Sequence, residues 1–184
     1  MPQNTRLLTA VEHNTSSGGD TIGPTIAGHS ASLYDLSVAA APYFSLTTPE
    51  TFSSRGPARH YFGPVVNTIP APAIATQFIQ QPDFTATDGG CTTFFGGFSG
   101  GCYRFFGTSA AAPHAAAVGA LIKEMANRQG KPLNQGLMRF VLQTKARAMA
   151  GGNLNSVGAG LIDALGSANL TEALKNVFIP LIRR

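Results

Sequence analysis

At 184 residues the chain has the length of one domain, with room for a hydrophobic core and not for two full domains. Apolar residues make up 43% and charged ones only 12%, which excludes an intrinsically disordered chain. The net charge of +4 is uneven: residues 1–103 carry 3 basic and 6 acidic side chains, residues 104–184 carry 10 and 3. These cations are dispersed, with no arginine–aromatic stripe, so a nucleic-acid-binding module is not expected.

The opening residues 1–24 are polar and rich in Gly and Ser, and read as irregular, without the apolar core of a signal peptide. Thr25-Ile26-Ala27 is a short strand candidate. Leu36-Ser37-Val38-Ala39-Ala40 reads as a buried parallel strand ended by Pro42. From Tyr43 to Gly107 the text is loop-heavy. Phe52-Ser53-Ser54-Arg55-Gly56-Pro57 makes a turn, and Pro64, Pro70, Pro72 and Pro82 bar central strands or helix interiors. Only Asp83-Phe84-Thr85-Ala86 looks like another strand.

Cys91 and Cys102 are the only cysteines. Their spacing fits neither zinc nor a redox pair, leaving a disulfide across a glycine-rich loop or two free thiols. A disulfide would suit an oxidising compartment.

The alanine-rich run from Ser109 to Met125 is the strongest helix signal. It is apolar nearly all round until Lys123 and is therefore expected to be buried, with Pro113 tolerated in the first turn. Gly107, Ser109, Pro113 and His114 in the uncharged stretch 105–122 exclude a membrane span. An amphipathic surface helix follows Pro132, with Leu133, Leu137, Phe140, Val141 and Thr144 on its stripe. A third helix begins near Thr171, with Leu170, Leu174 and Val177 ahead of Pro180.

A serine at a helix start beside a glycine turn can present its hydroxyl where unpaired amides stabilise a developing oxyanion. By position alone such a serine is more often an ordinary N-cap. The spelling goes further. Gly107-Thr108-Ser109-Ala110-Ala111-Ala112-Pro113-His114 resembles the nucleophile segment of the subtilisin-like serine peptidases, the subtilases. Phe52-Ser53-Ser54-Arg55-Gly56-Pro57 is similar to that family's F-S-S-x-G-P turn. Gly158-Ala159-Gly160-Leu161-Ile162-Asp163-Ala164 is similar to its G-x-G-x-(I/V)-(D/N)-A segment.

The resemblance spans residues 25–170 and implies an α/β fold. It would be the C-terminal portion of a subtilisin-like three-layer fold, with a mostly parallel sheet and a central buried helix starting at the nucleophile. It implies Ser109 as the catalytic nucleophile of a serine endopeptidase that hydrolyses peptide bonds through an acyl-enzyme, with no cofactor and no metal. The implied partner is a peptide or protein substrate, with no nucleic acid and no membrane. The implied location is extracellular.

The resemblance also exposes a gap. In subtilases the order is Asp, His, Ser, with the His in an H-G-T segment well before the nucleophile. None of His13, His29, His60 and His114 has that context. His114 lies five positions after Ser109, about 140° round a helix, and matches the family's structural histidine, expected buried and hydrogen-bonded. His29 matches a framework position. Asn4 and Asn14 lack the context of the family's oxyanion asparagine. Residues 1–184 therefore read as a partial subtilisin-like peptidase domain, its Asp, His and Asn contributed by sequence upstream. The chain alone is expected to be inactive and poorly soluble, and the missing N-terminal half of the domain is its expected partner. A non-catalytic subtilase-like interaction module is the competing reading.

Two weaker motifs are set aside. Gly97-Phe98-Ser99-Gly100-Gly101 spells a nucleophile elbow, but no histidine follows the later acid Asp163. Asp83 and Asp88 lie in no cation-binding loop pattern and read as solvated turn residues.

Overall fold

The computed structural model describes residues 24–178. The opening segment with Asn4, His13 and Asn14, and the stop at Pro180, lie outside the described residues.

The frame that positions everything else is a small parallel sheet. Strands β1 (Val38–Pro42) and β4 (Phe84–Asp88) pair in parallel, Val38 opposite Phe84 and Pro42 opposite Asp88. The segment after Gly158 extends the sheet. Thr85 N–H donates to Gly160 O, Ile162 N–H donates to Thr85 O, and Leu161 bridges in parallel to Thr85. Small and β-branched residues make this possible because β4 is covered on both faces. Ala40, Phe84 and Ala86 point to one side. Ala41 points to the other, onto Met149, Val157 and Leu161, as the two-residue period of a strand requires.

The first face is covered by helix α1 (Thr108–Arg128) and by α2 (Gln135–Lys145). Ala111, Ala115 and Ile122 of α1 meet Val141 and Leu142 of α2 over Phe84. Asn134, not Pro132, sets where α2 begins: its side chain accepts the Leu137 N–H at 2.9 Å. The stripe read from the sequence is rotated in α2. Val141 and Leu142 are buried, whereas Phe140 is 49% exposed. A one-turn helix, α3 (Leu154–Val157), had no periodic signal to announce it, and α4 (Ala164–Phe178) starts seven residues before Thr171.

Between β1 and β4 the chain builds β2 (Ala58–Phe62) and β3 (Ala73–Ile79), an antiparallel pair missed in the loop-heavy reading. The prolines fall in the connection between them and just before β4, so they interrupt no ladder. A third sheet is formed by β5 (Gly90–Thr92), β6 (Gly97–Ser99) and β7 (Cys102–Phe105), with β7 in the middle. Cys91 and Cys102 are disulfide-bonded within it. Thr25-Ile26-Ala27 forms no strand; Thr25 and Ile26 donate their amides to Arg55 O instead. A 3₁₀ turn follows at Gly28–Ala31.

The expected arrangement of a parallel sheet carrying an alanine-rich helix is present, but α1 is covered on one side only. Ala110, Ala111, Ala115, Ile122 and Ala126 are buried, while Ala112, Ala116, Ala117 and Ala120 are exposed and Leu121 is 65% exposed. On that second face Ala117 and Leu121 border a hollow shared with Leu46, Ile162 and Ala164.

Candidate active site

Helix α1 starts where Gly107 adopts φ 140° and ψ 155°, a backbone state that favours glycine. The Gly107 carbonyl accepts the amides of Ala110 and Ala111, and alanine propensity carries the helix forward. Ser109 is thus the second helical residue. Pro113 falls in the second turn rather than the first, so the bond its missing N–H would have made to the Ser109 carbonyl is lost.

Ser109 is exposed and its hydroxyl makes no hydrogen bond among the described residues. The Thr108 and Ser109 amides have no acceptor there either, as the first turn of a helix dictates. Thr108 and Ser109 line a cleft of about 450 Å³, whose lining also includes Ser54 of the Phe52–Pro57 turn and Ser37 and Val38 at the entrance of β1. Three distant stretches of sequence therefore meet at one place.

Each is fixed by its own bonds. The Ser53 hydroxyl accepts the Ala40 N–H at 2.8 Å, while Glu50 N–H donates to Ala40 O at 2.8 Å, so the turn is laced to the edge of β1. Gly56 packs against the Gln81 backbone so closely that a Cβ there would stand 1.7 Å from its carbonyl oxygen. Gly158 is equally confined, beneath the carbonyls of Pro82 and Asp83. The motif glycines are packing requirements of the junction that holds β4.

The described histidines serve elsewhere. His114 Nδ1 donates to Thr87 O at 2.8 Å, and His60 Nε2 donates to Ala31 O at 2.8 Å. His29 is exposed in the 3₁₀ turn and lies outside the cleft lining. His114 is hydrogen-bonded as expected but exposed rather than buried, because it lies beyond the covered face of α1. Ser99 sits in the stapled sheet between exposed neighbours, away from the cleft.

The carboxylates differ from expectation. Asp83 and Asp88 are 3% and 0% exposed, because they bound the central strand β4 rather than a solvated turn. Asp83 takes the Ser37 N–H at 2.7 Å, pairs with Arg139 Nε at 2.8 Å and takes Gln143 Nε2 at 3.1 Å. Burial nevertheless holds its carboxyl above the ordinary range, against the pull of the Ser37 amide and the Arg139 guanidinium. Asp88 accepts the Gly107 N–H at 2.7 Å through Oδ2. Burial raises its carboxyl too, opposed by the Gly107 amide and by Glu50. The signal that could have revealed both was their place on either side of the β-branched and apolar run Phe84-Thr85-Ala86-Thr87. No group of three or more His, Cys, Asp or Glu able to hold a metal occurs among the described residues, and no described helix is long and apolar enough to cross a membrane.

Comparison with known proteins places this geometry. The sequence profile of the subtilase family matches residues 14–160. No curated protein matches the chain. Among solved structures, the chain is similar to the patellamide maturation protease PatA, at 21% identity and a TM-score of 0.51, over 78% of this chain and 45% of that one. The self-cleaved protease domain of PatA gives 21% identity and a TM-score of 0.50, over 79% and 44%. The prenylagaramide maturation protease PagA gives 18% and 0.52, over 77% and 44%. These likenesses are of fold, and the chain spans less than half the length of each. With the family profile covering well over half of its residues, the chain belongs to the subtilase family.

Proposed function

We propose that Ser109 is the nucleophile of a serine endopeptidase whose general base, its orienting acid and the oxyanion asparagine lie outside the described residues. The observation that carries this reading is the unpartnered Ser109 hydroxyl beside two free amides at the start of α1, open to the cleft. Family membership supports a serine peptidase at the level of the family.

The chemistry follows from the position. Ser109 Oγ attacks the carbonyl carbon of a peptide bond as its proton passes to the base supplied from outside. The Ser109 amide, at the positive end of α1, stabilises the tetrahedral oxyanion. The C–N bond breaks as the proton moves to the leaving amine, and water then releases the acyl group from Oγ. Without a base the hydroxyl keeps its proton, so the described residues alone are expected to be inactive. The Cys91–Cys102 bond supports an extracellular location for the parent protein.

In the complete enzyme, Ser109→Ala is expected to lower kcat on an unstructured peptide by ~10⁶-fold. Hydrolysis persisting within tenfold of the unsubstituted enzyme would refute the assignment. The competing reading is a non-catalytic module with a subtilase-like shell. A His-Gly-Thr segment in the full-length protein decides for the enzyme, and a full-length protein without one decides for the module.

A further inference from the structure

The Gly107 N-cap places no side chain over the first turn of α1, so the helix that carries Ser109 is not oriented by its own cap. It is oriented from β4. The Asp88 carboxylate, wholly buried at the end of that strand, takes the Gly107 N–H at 2.7 Å, while the Gly107 carbonyl takes the Ala110 and Ala111 amides. One residue, Gly107, is therefore gripped by the sheet through its N–H and by the helix through its carbonyl, two residues ahead of Ser109. The chain between Asp88 and Gly107 is closed as well, since Gly89 N–H donates to Phe105 O at 2.8 Å. The stapled sheet thus hangs off a clamp.

We propose that Asp88 is a positioning residue that fixes the rotation of the first turn of α1, and so the placement of the Ser109 hydroxyl. The inference rests on the reading of Ser109 as nucleophile.

Glu50 is tied to β1 through its own amide on Ala40 O, near enough to Asp88 for that charge to act on its carboxyl. Asp88 Oδ1 is buried with no hydrogen-bond partner among the described residues, so Oδ2 on the Gly107 N–H is the carboxylate's bond to the first turn of α1. Burial raises both carboxyls, and the Asp88 charge raises Glu50 further. The other charged groups near the pair are His114 of α1, whose Nδ1 is spent on Thr87 O, and Arg104 of β7. Arg104 donates to Gly89 O and lies over the Tyr43 ring. Neither replaces the bond to Gly107.

The test is the rate at which a fluorophosphonate labels Ser109 in the complete enzyme, measured across probe concentrations, with cooperative thermal unfolding as the fold control. Asp88→Ala, which removes the acceptor, is expected to lower the limiting labelling rate ~100-fold without changing half-saturation. Asp88→Asn keeps an acceptor oxygen and is expected to restore most of the rate. A folded Asp88→Ala variant labelled within about threefold of the unsubstituted enzyme overturns the proposal, as does an Asp88→Asn variant no better than Asp88→Ala. Should Asp88→Ala fail to fold, Asp88→Val decides, since it fills the strand end without an acceptor; it is expected to show the same loss, and labelling within about threefold of the unsubstituted enzyme overturns the proposal. Absence of labelling in the unsubstituted enzyme would instead overturn the nucleophile reading, and this inference with it.

Discussion

His114 Nδ1 donates to the Thr87 carbonyl at 2.8 Å, tying the second turn of α1 to the end of β4. The imidazole nearest in sequence to Ser109 is therefore a structural brace. It lies five residues on, about 140° round the helix, and is committed to a backbone oxygen. His114→Ala is expected to cost about 1 kcal/mol of stability. In the complete enzyme it should leave the dependence of Ser109 labelling on pH unchanged. Unfolding and labelling measured side by side check this, and loss of the pH-dependent step would make His114 the base.

Gly158 ends α3 at φ 60°, where a Cβ would stand 2.5 Å from the Asp83 carbonyl oxygen and the Pro82 carbonyl oxygen. Both obstacles are backbone, so nothing flexible can yield. Gly158→Ala is expected to destabilise the protein by more than about 2 kcal/mol, read as a shift in denaturant midpoint. A change under half that size would show that β4 is not held from this side.

Arg139 joins α2 to the start of β4 and to the segment ahead of β1: its Nε faces Asp83 Oδ1 at 2.8 Å, and its other nitrogens donate to the carbonyls of Leu33 and Asp35. Arg139→Met leaves a buried carboxylate uncompensated, at an expected cost of about 3 kcal/mol at neutral pH. The sign of the pH dependence is fixed. The Asp83 carboxyl is already raised above its ordinary 3.8 by burial, and losing Arg139 raises it further. The deficit should be full above that further-raised value and fade as pH falls through the Asp83 range of the unsubstituted protein, where the carboxyl is protonated in both folded proteins. Denaturant curves across that range check it; a deficit independent of pH would assign the loss to the Leu33 and Asp35 bonds.

The uncovered face of α1, from Ala112 through Ala116 and Ala120 with Leu121 65% exposed, is too apolar to stay in water untouched. Expressed alone, the 184-residue chain is expected to self-associate, as light scattering would show. A monomer melting in one sharp transition would contradict this.

How far the sequence carried can be judged from particular elements. The β1 strand, the α1 helix and the three motif segments were legible because each states its own constraint. Alternating small residues mark a covered strand, an alanine run marks a helix, and glycines mark backbone contact. The β2–β3 pair was hidden by Pro64, Pro70 and Pro72, which mark only its connection. The burial of Asp83 and Asp88 was hidden for a different reason. Their partners, Ser37, Arg139 and Gly107, are 46, 56 and 19 residues away, and a single carboxylate in a sequence does not announce a distant donor. The one-sided covering of α1 could not be read either, since an all-round apolar helix states only that it must be covered, not by what.

The most direct measurement is labelling by a fluorophosphonate, followed by mass spectrometry of the peptide containing Ser109. The complete enzyme is expected to carry the adduct on Ser109, and the 184-residue chain alone is expected to remain unlabelled. Rapid labelling of the isolated chain would mean that it holds its own base, and an adduct on any other serine of the complete enzyme would end the assignment of Ser109.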